Sequence, residues 1–259
     1  MSTPFDSVVD RIAGERYHNQ RRQIHSDLAS QGIVRDLEEN CGTLRADIDS
    51  GQIRTWLNSK TPGARGRKID LLMGEAAGDG KPDLRKLRIC VENKSVWTAH
   101  RNVDARYDDL NDALQVIHSV KSEAVLVATV IVGVATRVLN VADQVKKHYR
   151  KDTEKFANYV LPRLSSGDLT LWDEFQFAIS ENDPRDAQKT IEKFRSLPTR
   201  PIGQTHVKGY DFVLLVPVFV DNVNPPRIER TNTLGIDVDA EYARMIDRIC
   251  RAYSVRFKD

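Results

Sequence analysis

Apolar residues recur at helical intervals through the start of the chain. Phe5, Val8, Val9, Ile12, Ile24 and Leu28 keep that spacing across residues 5–30. Leu44, Ile48, Ile53 and Leu57 follow four or five apart, with Gly51 as a possible break, so the first 60 residues read mostly as helix. TPGARGR (61–67) is a loop by its proline and two glycines. KIDLLM (68–73) has strand length, GEAAGDGKPD (74–83) has turn chemistry, and LRKLRICVENKSV (84–96) is strand-like again. In 103–120, Val103, Tyr107, Leu110, Leu114 and Ile117 give a helix one apolar face. EAVLVATVIVGVA (123–135) suits a strand buried on both faces.

Beyond this core the pattern loosens. Residues 137–163 read as a charged helical stretch, and 165–205 are mixed, with Pro184, Pro198 and Pro201 as punctuation. YDFVLLVPVFVD (210–221) is a further strand whose Pro217 points to an edge or bulge. VNPPR (223–227) is a loop, and 239–257 close the chain as an amphipathic helix. A strand–helix–strand unit after a hairpin implies a crossover onto one sheet. The expected class is α/β, a central mixed β-sheet flanked by helices, in a single domain over 1–259.

Composition narrows the setting. A chain of 259 residues with 40% apolar and 29% charged residues can build a sizeable core and a well-solvated surface. Cys41, Cys90 and Cys250 are odd in number and widely spaced, which predicts neither a disulfide framework nor a zinc site. The N-terminal MSTPFDSVVDRIAGER has no apolar run of signal-peptide length, and AVLVATVIVGVA and FVLLVPVFV are too short to span a bilayer as helices, so a reduced, cytoplasmic protein with no membrane contact is expected. Net charge is only +2, yet the window from Lys60 to Arg106 holds eleven Lys/Arg against six Asp/Glu. A basic window around a group of acids is a footprint for a polyanion.

That window contains the candidate chemistry. Glu92 and Lys94 lie two apart and share one face of a strand. Phosphodiester cleavage by a divalent metal needs a second carboxylate nearby. Pro82-Asp83 looks like the partner, but nine strand residues separate Asp83 from Glu92 by about 30 Å. A turn centred near Gly80-Lys81 instead pairs positions whose numbers sum to about 162, which sets Asp70 opposite Glu92 with Cβ atoms about 5 Å apart. Asn93 then points away from the pair and takes a structural role.

Ile69-Asp70, a hairpin, and Glu92-Asn93-Lys94, with a following helix and strand, resemble the PD-(D/E)XK nuclease superfamily, the restriction-endonuclease-like fold. The resemblance covers about residues 44–135, and Ile69 stands where the family has proline. It implies that 61–135 form a catalytic core, preceded by a helical segment (1–60) and extended by 136–259. It implies that Asp70 and Glu92 bind Mg²⁺ and that Lys94 assists the attacking water. The family often adds an acid from a preceding helix; of Glu38, Glu39, Asp47 and Asp49, Glu39 is favoured. Arg65, Arg67 and Lys68 beside the first acidic strand, and Arg101 and Arg106 after the lysine, are the expected DNA contacts.

The expected function is a Mg²⁺-dependent endonuclease resembling type II restriction enzymes, cutting double-stranded DNA at a specific sequence as a homodimer. A structure-selective repair, recombination or defence nuclease of the same fold is the alternative, as is a catalytically silent nucleic-acid-binding protein. HVKGYD (206–211) lacks the spacing of the H-x-K-x₄-D nucleases, and no phosphate-binding Gly-rich motif occurs.

Overall fold

A hairpin and a crossover share one sheet, and where they meet decides the geometry of the site. In the computed structural model the described residues are 2–14, 23–60, 67–98, 102–140, 158, 162, 178–222, 224–230 and 233–258. Three helices come first: α1 (Pro4–Gly14), α2 (Gln23–Asn40) and α3 (Gly42–Asp49). Then follow β1 (Arg54–Lys60), β2 (Lys68–Ala76), β3 (Pro82–Val96), α4 (Val103–Val120) and β4 (Val125–Gly133). The remainder supplies β5 (Arg137–Asn140), β6 (Ala178–Glu181), α5 (Asp186–Arg195), β7 (Phe212–Phe219), β8 (Arg227–Ile228) and α6 (Val238–Phe257).

The main sheet has six strands in the order β1-β2-β3-β4-β7-β8, and β5 pairs with β6 apart from it. β1, β2 and β3 run antiparallel in turn, β3, β4 and β7 are parallel, and β8 returns antiparallel. This is the mixed sheet of an α/β fold. Helices cover both faces: α2 and α6 lie against one, α4 and α5 against the other. β4 is buried along its whole length, as its run of Val and Ile requires between two helical layers. A single apolar cluster runs from Phe5 to Tyr253. Among the described residues no helix is long and apolar enough to cross a membrane.

Several expectations change. Arg54–Lys60 is a strand rather than the end of a helical segment. Helix α3 stops at Asp49, Gly51 takes φ 77°, and Trp56 and Leu57 then pack half-buried along β2. Thus Gly51 is the break, and the spacing beyond it belongs to an edge strand. Arg137–Asn140 is likewise a strand, while most of the expected helix after it lies outside the described residues. The hairpin turns at Ala77–Lys81, where Ala77 N–H donates to Lys81 O at 2.8 Å and Gly80 takes φ 78°. Pro82 and Asp83 already belong to β3, and the Asp83 carboxylate accepts from Arg85 N–H.

The expectation of unpaired cysteines is corrected too. Cys41 after α2 and Cys250 on α6 form a disulfide, with Cα atoms 5.2 Å apart and 209 positions between them in sequence. Widely spaced cysteines give no local signal of pairing, because the fold alone brings α2 and α6 together. Cys90 remains free and buried, and burial pushes its thiol pKa up.

Asp211, just before β7, ties the start of that strand to β4. Its buried carboxylate accepts from Arg200, Arg256 and the Leu126 N–H. Burial acts to raise its pKa, but the bonds from Arg256 and Arg200 outweigh it and hold the carboxyl below its ordinary value. The aspartate of HVKGYD is therefore a structural hub.

Candidate active site

The hairpin register places the two acids. Leu71, Leu72 and Met73 pair with Val91, Cys90 and Ile89, so the next position sets Asp70 across from Glu92. There the backbone ladder gives way to side chains. Asp70 N–H donates to Glu92 Oε2 at 3.2 Å, and Asn93 N–H donates to Asp70 Oδ2 at 2.8 Å. Each carboxylate thus takes a backbone donor from the other strand. β1 shows the same interruption. Leu57 pairs with Leu71 and Ser59 with Ile69, while Asn58 between them, across from Asp70, adopts φ 51°. A non-glycine residue in the left-handed region is uncommon inside a strand, and such residues concentrate at functional sites.

Lys94 lies two residues beyond Glu92 on the same face. Its Nζ donates to Glu92 Oε1 at 2.8 Å and lies 3.9 Å from Asp70 Oδ2. Glu92 is only 1% exposed. Burial pushes its pKa up to about 7; the Lys94 ammonium pulls it down and the adjoining Asp70 carboxylate raises it further. Arg67 Nη2 also reaches Glu92 Oε1, at 3.3 Å.

Asn93 faces the other way, as the strand alternation predicts. Its amide donates to Ser26 O, Ser26 Oγ and Ser30 Oγ on α2, and its Oδ1 accepts from Thr129 Oγ1 on β4 at 2.6 Å. The middle residue of Glu92-Asn93-Lys94 therefore ties α2 to the strand that carries the acid and the lysine. A cleft of about 350 Å³ opens beside them, lined by Asp70, Lys94, Lys68, Arg106, Asn58 and the first turns of α2.

The other candidates divide. Lys68 and Arg106 line the cleft, although Arg106 also donates to Asp109 at 3.0 Å. Arg65 and Arg101 lie outside the described residues. Arg67, expected to grip phosphate, turns inward to Glu92, Asp109 and Asp112. Glu39 stands apart from the pair. Ser26 of α2 meets Asn93, and Glu39 is thirteen residues further along that helix, about 20 Å away, beside Tyr242 and Cys250. An acid at the far end of α2 cannot share an ion with Asp70. Asp83 likewise takes no part. Sequence reasoning missed Asp109 and Asp112, although their three-residue spacing puts both on one side of α4.

Whether the site suits a divalent ion depends on its donors. Asp70 and Glu92 offer hard carboxylate oxygens beside each other on neighbouring strands. The pair fits Mg²⁺ held by few protein ligands with water completing the coordination. Among the described residues no group of three or more His, Cys, Asp or Glu side chains converges around an ion. Comparison with known proteins brings no match: no family model, no curated protein and no solved structure matches the chain.

Proposed function

We propose that the protein is a Mg²⁺-dependent endonuclease that hydrolyses DNA phosphodiester bonds, cutting duplex DNA at a specific sequence in the manner of type II restriction enzymes. One observation carries the reading: Asp70 on one strand meets Glu92 and Lys94, more than twenty positions further along on the next, at the edge of an open cleft. Unlike the Asp211 hub, which is sealed from solvent, Asp70 and Lys94 keep part of their surface open to the cleft.

In this reading Asp70 and Glu92 hold the ion. Bound there, Mg²⁺ would polarise a phosphoryl oxygen and lower the pKa of a coordinated water. The rest falls to the chain. Lys94 reaches both carboxylates and lines the cleft, so its ammonium can orient the attacking water and offset charge on the scissile phosphate. Lys68 and Arg106 on the cleft walls supply positive charge for backbone phosphates. Asn93 keeps the strand and α2 in register with each other. One site cuts one strand, so double-strand cleavage calls for a homodimer.

The deciding experiment is digestion of a defined plasmid with Mg²⁺ and with EDTA, followed by sequencing of the fragment ends. Discrete fragments with fixed ends, lost in EDTA, support the proposal. An intact plasmid in Mg²⁺, or cleavage unchanged in Asp70→Asn and Lys94→Ala, overturns it.

A further inference from the structure

Every oxygen of Glu92 is engaged. Oε2 accepts the Asp70 N–H at 3.2 Å, while Oε1 receives both Lys94 Nζ at 2.8 Å and Arg67 Nη2 at 3.3 Å. Arg67 also has a second place to rest. Its Nη2 lies 3.8 Å from Asp109 Oδ1 and its Nη1 3.8 Å from Asp112 Oδ2 on α4. The guanidinium straddles a buried carboxylate on one side and two partly exposed ones on the other. A small rotation would complete its fork on the helix and leave Glu92 Oε1 to Lys94 alone.

We infer that Arg67 is a second counter-cation of Glu92, sharing this carboxylate with Lys94 while no divalent ion is bound and passing to Asp109 and Asp112 when one is. This rests on the reading of Asp70 and Glu92 as the divalent-ion pair. An ionised carboxylate 1% exposed needs positive charge beside it, and Lys94 and Arg67 both supply it. A divalent ion and a guanidinium at the same oxygen repel strongly at low effective dielectric. Asp109 and Asp112 give the displaced charge a destination less than one side-chain length away, so the exchange needs no backbone movement. Arg67 is thus a positioning residue that sets how readily the site takes its ion. It is not a phosphate clamp.

The test is Mn²⁺ binding to the full chain without DNA, followed by the spin-resonance signal of the free ion. Arg67→Met should tighten binding by about tenfold, because the competing charge is gone. The double variant Asp109→Asn/Asp112→Asn should weaken it by several-fold, because the two helix carboxylates no longer draw Arg67 away from Glu92. Combining all three changes discriminates the exchange from simple long-range charge: the two helix substitutions should have no effect once Arg67 is absent. Equal effects of the helix pair in both backgrounds, or unchanged or weaker binding in Arg67→Met, overturn the inference. The helix pair sits on a partly exposed face, so its prediction stands even where Arg67→Met fails to fold. If wild type and Glu92→Gln bind Mn²⁺ alike, or neither binds it, the divalent site itself falls, and the proposed function with it.

Discussion

Asp70 and Glu92 exchange hydrogen bonds with each other's strands: the Asp70 N–H donates to Glu92 Oε2, and the N–H following Glu92 donates to Asp70 Oδ2. Side chains take over the ladder where β2 and β3 part. The two carboxylates are therefore fixed by backbone donors before any ligand arrives, and their geometry depends on strand register rather than on loop conformation. Preorganisation of this kind is what charge-stabilising chemistry requires.

Lys94→Ala and Asp70→Asn should each lower the rate of Mg²⁺-dependent DNA cleavage by at least about 100-fold. Asp83→Asn, nine positions before Glu92 on the same strand, should leave it within about twofold, since surface carboxylates remote from a site contribute little. Initial rates of plasmid nicking separate the two outcomes. Equal loss in Asp83→Asn would contradict the hairpin geometry.

The contribution of Glu92 to the stability of the metal-free protein should fall as pH rises from about 4.5 to about 7, the interval over which it is protonated in the folded chain and ionised in the unfolded one. The sign follows from a raised carboxyl pKa: the folded state binds more protons there, so the contribution is full below 4.5 and lost through 7. Its size is on the order of 3 kcal/mol. Buried His118 works the other way between about 6.5 and 4, because burial first, and then Arg200, depress its pKa. Comparing Tm against pH for wild type and Glu92→Gln isolates the carboxyl. Parallel curves would contradict the assignment.

Asn93→Ala removes the partner of Ser26, Ser30 and Thr129 together, and should cost about 2–3 kcal/mol in urea unfolding. Asn93→Asp keeps the acceptor toward Thr129 but faces Ser26 O with a negative charge, so it should cost at least as much. A variant as stable as wild type would mean that α2 is held without this anchor.

A reducing agent should lower the Tm of the wild-type chain, and leave that of Cys41→Ser/Cys250→Ser unchanged. Closing a loop with ends 209 positions apart restricts the unfolded chain by up to about 5 kcal/mol, although measured gains usually fall below that figure. Thermal unfolding with and without dithiothreitol checks it, and identical Tm values for wild type in both conditions would contradict the pairing.

The sequence reading found those parts whose physics is local. Periodicity located α4, β4, β7 and α6 because each has one apolar face or is buried throughout. Strand alternation sufficed to turn Asn93 away, and Asp70 does stand across from Glu92, but the turn lies at Ala77–Lys81, before the expected centre, and bulges in β3 make up the difference. What it missed depends on contacts between distant segments. Trp56 and Leu57 look helical until β2 lies beside them. Arg67 looks like a surface cation until α4 brings Asp109 and Asp112 against it. Cys41 and Cys250 are neighbours only after α6 docks. Glu39 was chosen on residue type, and helix length alone removes it from the site.

The hairpin loses register twice beyond Met73, first at Gly74 and again before Ala76. Between the pairs Met73–Ile89 and Ala76–Pro82, β3 spends more residues than β2, and the surplus is taken up as bulges. A Cβ on Gly74 would come within 2.7 Å of Lys86 O, so the crowding is concentrated on that side of the bend. The distal half of the hairpin therefore acts as a slack coupling. Residues gained or lost at its tip should be absorbed by the bulges, leaving the Asp70–Glu92 row aligned. The tip is thus a place where a peptide can be grafted without disturbing the acids at its base.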